Sequence, residues 1–171
     1  IKIEMLLRRA LDSGELSVHL QPQVEAKGGR LVGAEALIRW DSPELGSVPP
    51  ARFIPLAEES GTIIALGTWV LRETCRQVMK WTASGFELPQ VSVNLSVKQL
   101  ERPEFVETLQ AILEETGIEP GRLKLEITES VLLADEPTGS LDRVAAEQVL
   151  DLMREVNRED GATFLICTHD E

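Results

Sequence analysis

Two short segments constrain the fold of this chain more than any others. Residues 91–97 set Val91, Val93, Leu95 and Val97 against Ser92, Asn94 and Ser96, and residues 123–129 set Leu123, Leu125 and Ile127 against Lys124, Glu126 and Thr128. Strict alternation puts each set on its own face of a strand. Between them Phe105, Leu109, Ile112 and Leu113 keep helical spacing up to Gly117, and Ser96 with Gln99 resembles a capping box. Further on, Val149, Leu152, Met153 and Val156 trace another amphipathic helix, and ATFLICTH (162–169) reads as a strand. Strand, helix, strand, helix, strand in this order predicts parallel βα units and an α/β fold.

The first half of the chain reads differently. Residues 4–12 predict a short amphipathic helix that stops at Gly14, and the apolar positions Val18, Leu20 and Val24 predict a strand over 16–24. Lys27-Gly28-Gly29 supplies a turn, because glycine tolerates positive φ, and a second strand over 30–40 completes a hairpin. Pro43, Pro49 and Pro50 mark an irregular loop before a helix near Phe53–Ser60. Leu71, Cys75 and Val78 predict a helix over 67–84, closed by Gly85.

Bulk properties exclude several functions. A chain of 171 residues with 43% hydrophobic and 27% charged residues has the length and composition of one soluble domain. Its net charge of −12 argues against a nucleic-acid polymer or an anionic membrane as partner. Such a protein needs a cation or a local Arg cluster to handle an anionic substrate. Cys75 and Cys167 match no metal-ligand spacing, which suits a reduced, cytoplasmic setting. No apolar run approaches the ~20 residues of a membrane span, and no signal-peptide pattern opens the chain. A start at Ile1 reads as part of a longer polypeptide.

The polar strand faces are the candidate site. On strand 30–40, Gly33, Glu35, Leu37 and Arg39 oppose Ala34, Ala36, Ile38 and Trp40; strand 91–97 offers Asn94 and strand 123–129 offers Glu126. If these strands are barrel neighbours, two carboxylates and a carboxamide converge, a set of oxygen donors suited to a hard divalent cation. The same residues would also serve as interior polar groups or solvated strand edges, and on residues alone both readings stand. Trp40, Trp69 and Trp81 read as core or interface packing, and His19 as an ordinary strand histidine.

QPQV (21–24), EALIRW (35–40), PPARFIPLAEESG (49–61), VSVNLSVKQL (91–100) and LEITES (125–130) carry a resemblance over residues 1–131. Their order and spacing are similar to the EAL domain of cyclic di-GMP phosphodiesterases, a modified TIM barrel with a metal-dependent site. The resemblance implies Glu35, Asn94 and Glu126 as ligands of Mg2+ or Mn2+, and Gln21, Leu37 and Arg39 as contacts to cyclic di-GMP, with Arg39 on a phosphate. Glu129 is implied as a carboxylate that supports the site from the adjoining loop. Beyond LEITES the family's D-D-F-G-T-G loop is not found in this sequence. Weak or absent turnover is therefore expected.

Residues 131–171 resemble instead the end of an ABC transporter ATPase domain. VLLADE (131–136) is similar to its Walker B strand, with Asp135 on magnesium and Glu136 on the attacking water; Gly139–Asp142 is similar to the D-loop, and His169 to the H-loop. No G-x-x-x-x-G-K-[ST] loop is present to cradle phosphates, so ATPase activity is not expected. Asp135 and Glu136 equally suit a solvated turn before Pro137. The expected fold is thus a partial TIM-like, EAL-type barrel over 1–131. A grafted helix–strand unit over 132–171 packs into the same domain, and exposed strand edges favour a homo-oligomer.

Overall fold

The computed structural model describes residues 2–128 and 163–167. Helix α1, Lys2–Ser13, turns Leu6, Leu7 and Ala10 inward, with Ile3 and Leu11 packed beside them. Strands β1, Leu16–Val24, and β2, Leu31–Ser42, form the predicted antiparallel hairpin. Its turn carries Gly28 at φ 102° and Gly29 at φ 67°, values that strain any other residue.

β2 outruns its predicted end because β3, Gly46–Val48, pairs back on it, with Trp40 opposite Val48 and Ser42 opposite Gly46. Pro43, Pro49 and Pro50 predict irregular loop here instead. Three residues are too few to show alternation, and Pro43 disguised them. Helix α2, Pro50–Ser60, starts earlier than expected, with proline preset for the first helical turn. Helix α3, Ile63–Ala83, follows. β4 is Val91–Leu95, short of its predicted end because Ser96 already caps the one-turn helix α4, Val97–Leu100. Helix α5, Phe105–Thr116, stands apart from α4, since Pro103 biases Arg102 away from helical backbone. β5 is Leu123–Thr128 and β6 is Thr163–Cys167.

The sheet runs β1-β2-β4-β5-β6, with β3 paired to β2. β4, β5 and β6 are parallel, as the βα pattern from residue 91 predicts, and β2 joins them in parallel beside β4. The expected barrel is not closed among the described residues; their strands make an open mixed sheet. β6 continues this sheet beside β5, with Glu126 level with Leu165, while residues 129–162, which contain the predicted helix around Val149–Val156, lie outside the described set.

One face of the sheet is the core. Ala34, Ala36, Ile38 and Trp40 of β2, Val91, Val93 and Leu95 of β4, and Leu123, Leu125 and Ile127 of β5 are buried in one cluster with Leu66, Leu71, Leu109 and Ile112 of the helices. Each such Leu or Ile contributes about 1.5–3 kcal/mol by leaving water. Trp40 meets Phe53 edge-on at 5.5 Å, as core packing. Cys75 is buried, and burial pushes its thiol up to about 12, so it packs rather than reacts.

Two polar contacts anchor this core. The Trp40 indole N–H donates to Glu15 Oε2 at 3.1 Å. That hydrogen bond leads the effects holding the Glu15 carboxyl below its usual value; burial opposes it, and Ser13 and Arg9 reinforce it. The second contact joins α2 to the end of β4. The Ser96 hydroxyl donates to Glu58 Oε1 at 2.8 Å, the Lys98 ammonium to the Glu58 carbonyl at 2.7 Å, and the Ser96 N–H to Gln99 Oε1 at 3.2 Å. Gln99 is buried over Gly67 of α3, where an added Cβ would lie 2.0 Å from Gln99 Nε2. Gly67 is therefore the gap into which the Gln99 amide fits.

Two outcomes follow from these contacts. A carboxyl depressed by folding adds stability above its unfolded pKa of about 4.3 and loses it as pH falls through the folded value. In urea titrations from about pH 6 down to about pH 3, wild type should lose stability more steeply than Glu15→Gln; parallel profiles would contradict the Trp40–Glu15 assignment. Gly67→Ala should lower stability by about 1–3 kcal/mol through overpacking, although alanine favours a helix by about 1 kcal/mol. An unfolding midpoint at or above wild type would show that Gln99 is not locked over this glycine.

Candidate functional site

The face opposite the core collects the polar side chains. Pairing across the hairpin sets Gln21 opposite Glu35 and Ser17 opposite Arg39, and directly opposed residues share a face. In the parallel part, Glu35 is level with Ser92, Ser92 with Lys124, and Asn94 with Glu126. Since β4 lies between β2 and β5, Glu35, Asn94 and Glu126 come from three adjacent strands onto one face. This side is wetter than the core: Glu35 and Glu126 are half-buried and Asn94 is exposed.

Asn94 Nδ2 donates to Glu35 Oε1 at 2.8 Å. The bond turns the amide nitrogen to one carboxylate and leaves its oxygen as a free acceptor. Glu126 Oε1 lies 2.9 Å from the Lys124 ammonium. Among the described residues no cluster of at least three His, Cys, Asp or Glu suits a metal. The donors present are two carboxylates and one carboxamide oxygen, all hard, and their chemistry fits a divalent cation that completes its shell with water or phosphate oxygen.

Beside them, at the carboxyl ends of β2 and β4, a cleft of about 370 Å³ opens towards α2 and α3. Leu37, Arg39 and Asn94 reach its wall with apolar Ile54 and Leu66, whereas Gln21, Glu35 and Glu126 do not line it. The Arg39 guanidinium spends one donor on the Ile38 carbonyl, at 3.0 Å, and keeps the rest of its fork available.

Glu58, Ser96 and Gln99 also line the cleft, and the sequence reading assigned none of them to the site. The capping-box pattern flagged Ser96 and Gln99 only as a helix start. Glu58 gave no signal, because its partner Ser96 lies 38 positions away. An unexplained glycine inside a helix, Gly67, was the one available hint of a close approach. Glu129, Asp135, Glu136, Asp142 and His169 lie outside the described residues.

The EAL domain family model matches residues 5–149. It runs past 131, where the sequence reading changed families, and spans the ATPase-like positions Asp135, Glu136 and Asp142. The bifunctional diguanylate cyclase/cyclic di-GMP phosphodiesterase MucR of Pseudomonas aeruginosa is 41% identical over 129 residues, covering 75% of this chain and 19% of its own length. The cyclic di-GMP phosphodiesterase PdeR of Escherichia coli is 38% identical over 157 residues, covering 92% and 23% respectively. In structure, the PaMucR phosphodiesterase in its c-di-GMP complex superposes with a TM-score of 0.84 at 34% identity, over 97% of this chain and 63% of that one. The chain thus spans about a fifth of the length of these curated relatives. With the family model matched over most of its length and the strand-end motifs brought onto one sheet face, this chain belongs to the EAL domain family.

Proposed function

We propose that this chain binds cyclic di-GMP at a divalent-cation site formed by Glu35, Asn94 and Glu126, in the manner of EAL-type phosphodiesterases. The contact of Asn94 with Glu35 at 2.8 Å, made next to the strand that bears Glu126, is the observation that carries this reading. Both relatives named above are described as cyclic di-GMP phosphodiesterases, and the similar solved structure is a c-di-GMP complex.

Each residue type suits its part. A bound Mg2+ or Mn2+ neutralises the phosphodiester and lowers the pKa of a coordinated water. Glu35 and Glu126 offer the charge that holds such an ion, and Asn94 offers a neutral oxygen whose direction its bond to Glu35 sets. Arg39 presents paired donors to a phosphate. Leu37 gives an apolar surface to the ligand and Gln21 a polar one beside Glu35. By the family resemblance alone, Glu129 is assigned a supporting role at the site. With a net charge of −12 the chain as a whole repels a dianionic nucleotide, so the ion and Arg39 supply the attraction.

Weak hydrolysis at most is the expected behaviour, because β6 is followed by Thr168-His169-Asp170-Glu171 where the family pattern carries D-D-F-G-T-G. We assign residues 132–171 to the same domain, a reading supported by the EAL match that runs on to residue 149. Their ATPase-like groups Asp135, Glu136, Asp142 and His169 do not form an ATP site without a phosphate-cradling loop.

Calorimetric titration with cyclic di-GMP in Mg2+, then with ATP, separates these readings. Wild type should bind cyclic di-GMP, and Glu35→Gln or chelation should weaken that affinity by about tenfold or more. ATP should give no heat of binding. Affinity for cyclic di-GMP that ignores both chelator and Glu35→Gln would contradict the metal site, and ATP binding would favour the ATPase reading.

A further inference from the structure

Lys124 has no part in the site so far, yet it stands inside it. It shares a strand face with Glu126, and its Nζ lies 2.9 Å from Glu126 Oε1. Lys124 is level with Ser92, and Ser92 with Glu35, so the lysine rises from the row of Glu35 towards the row of Asn94 and Glu126. Among the described ion pairs it is the one in which both side chains are no more than 20% exposed. A pair so withdrawn from water is weakly screened by salt, unlike a surface ion pair.

We infer that Lys124 is a tethered competitor of the divalent cation: its ammonium occupies the Glu126 carboxylate in the ion-free site and must swing away when the ion binds. This rests on the cation site proposed above. Three features of the geometry support it. The ammonium is already within hydrogen-bonding distance of a proposed ligand. The long, flexible lysine stem can withdraw while its Cα stays in register. Glu35 already accepts from the Asn94 amide, and the Lys124 ammonium pairs with Glu126 instead. The charge sign fixes the direction of the effect. A fixed positive charge beside a divalent ion opposes its binding, and a neutral side chain of similar length removes that opposition. The lysine also keeps two glutamates on one face from repelling each other before an ion arrives.

Mn2+ titration followed by electron paramagnetic resonance, without nucleotide, tests the inference. Lys124→Gln should bind Mn2+ about tenfold more tightly than wild type, and Lys124→Arg, which keeps the charge, should stay within about twofold of it. Lys124→Met carries the same expectation as Lys124→Gln should the glutamine variant fail to fold by circular dichroism. Glu126→Gln should weaken Mn2+ binding in every background. If Lys124→Gln binds no more tightly than wild type while Glu126→Gln still weakens binding, the competitor role is overturned and the cation site stands. If wild type and Lys124→Gln both leave Mn2+ free, the cation site falls and the inference with it.

Discussion

The parallel registration of β2, β4 and β5 is the constraint on which the rest of this structure depends. Side chains alternate between faces with a period of two, so a slip of one residue in any of these strands would invert its contribution. In the observed register Val91, Val93 and Leu95 pack in the core beside Leu123, Leu125 and Ile127, while Asn94 and Glu126 remain level on the other side. Burial of the apolar set therefore determines where the polar set goes. The hydrophobic effect that folds the sheet also gathers its oxygen donors, although it makes no direct contact with them.

The elements around the sheet refine that placement. Trp40 fills the core end of β2, against Phe53, and its indole reaches Glu15 just before β1. Glu58, Ser96 and Gln99 bind α2, α3 and the end of β4 together just past Asn94. Arg122 donates to Thr82 and to the Leu88 carbonyl, and so ties the beginning of β5 to the end of α3. These contacts are buried or partly buried, and they involve groups that would be costly to leave unpaired. Among the described residues the Thr74 hydroxyl is the exception: it is buried without a partner. Arg72 and Arg76 hold the Glu115 carboxyl below its usual value, but that cluster is exposed and adds little to stability.

Much of this was legible in the chain itself, and the reasons differ by element. The strands at Val91–Leu95 and Leu123–Thr128 announced themselves because apolar and polar residues alternate strictly along each. β3 did not, being too short to show a period and flanked by prolines. The break between α4 and α5 needed only the weight of Pro103. Alternation identified Asn94 and Glu126 as facing one way, but it could not say which strands are neighbours. Glu35 meets Asn94 across 59 positions of sequence, through pairing that no local pattern encodes. The family motifs supplied that knowledge indirectly, as a resemblance. Neither route revealed Lys124, whose alternation marked it only as polar, or Glu58, whose role depends on a tertiary contact. The expected change of family at residue 131 falls inside the EAL match, and apolar-then-acidic runs such as VLLADE, acceptable after a strand in either family, explain the ambiguity.

Convergence of Glu35, Asn94 and Glu126 on a single cation is the central claim, and paramagnetic broadening reads it directly. In nitrogen-15 NMR spectra recorded during addition of substoichiometric Mn2+, the Asn94 side-chain amide and the backbone amides of Glu35, Asn94 and Glu126 should broaden first and together. Chelation should restore them. Broadening that begins at acidic surface positions remote from these strands, with the Asn94 amide left sharp, would contradict the claim.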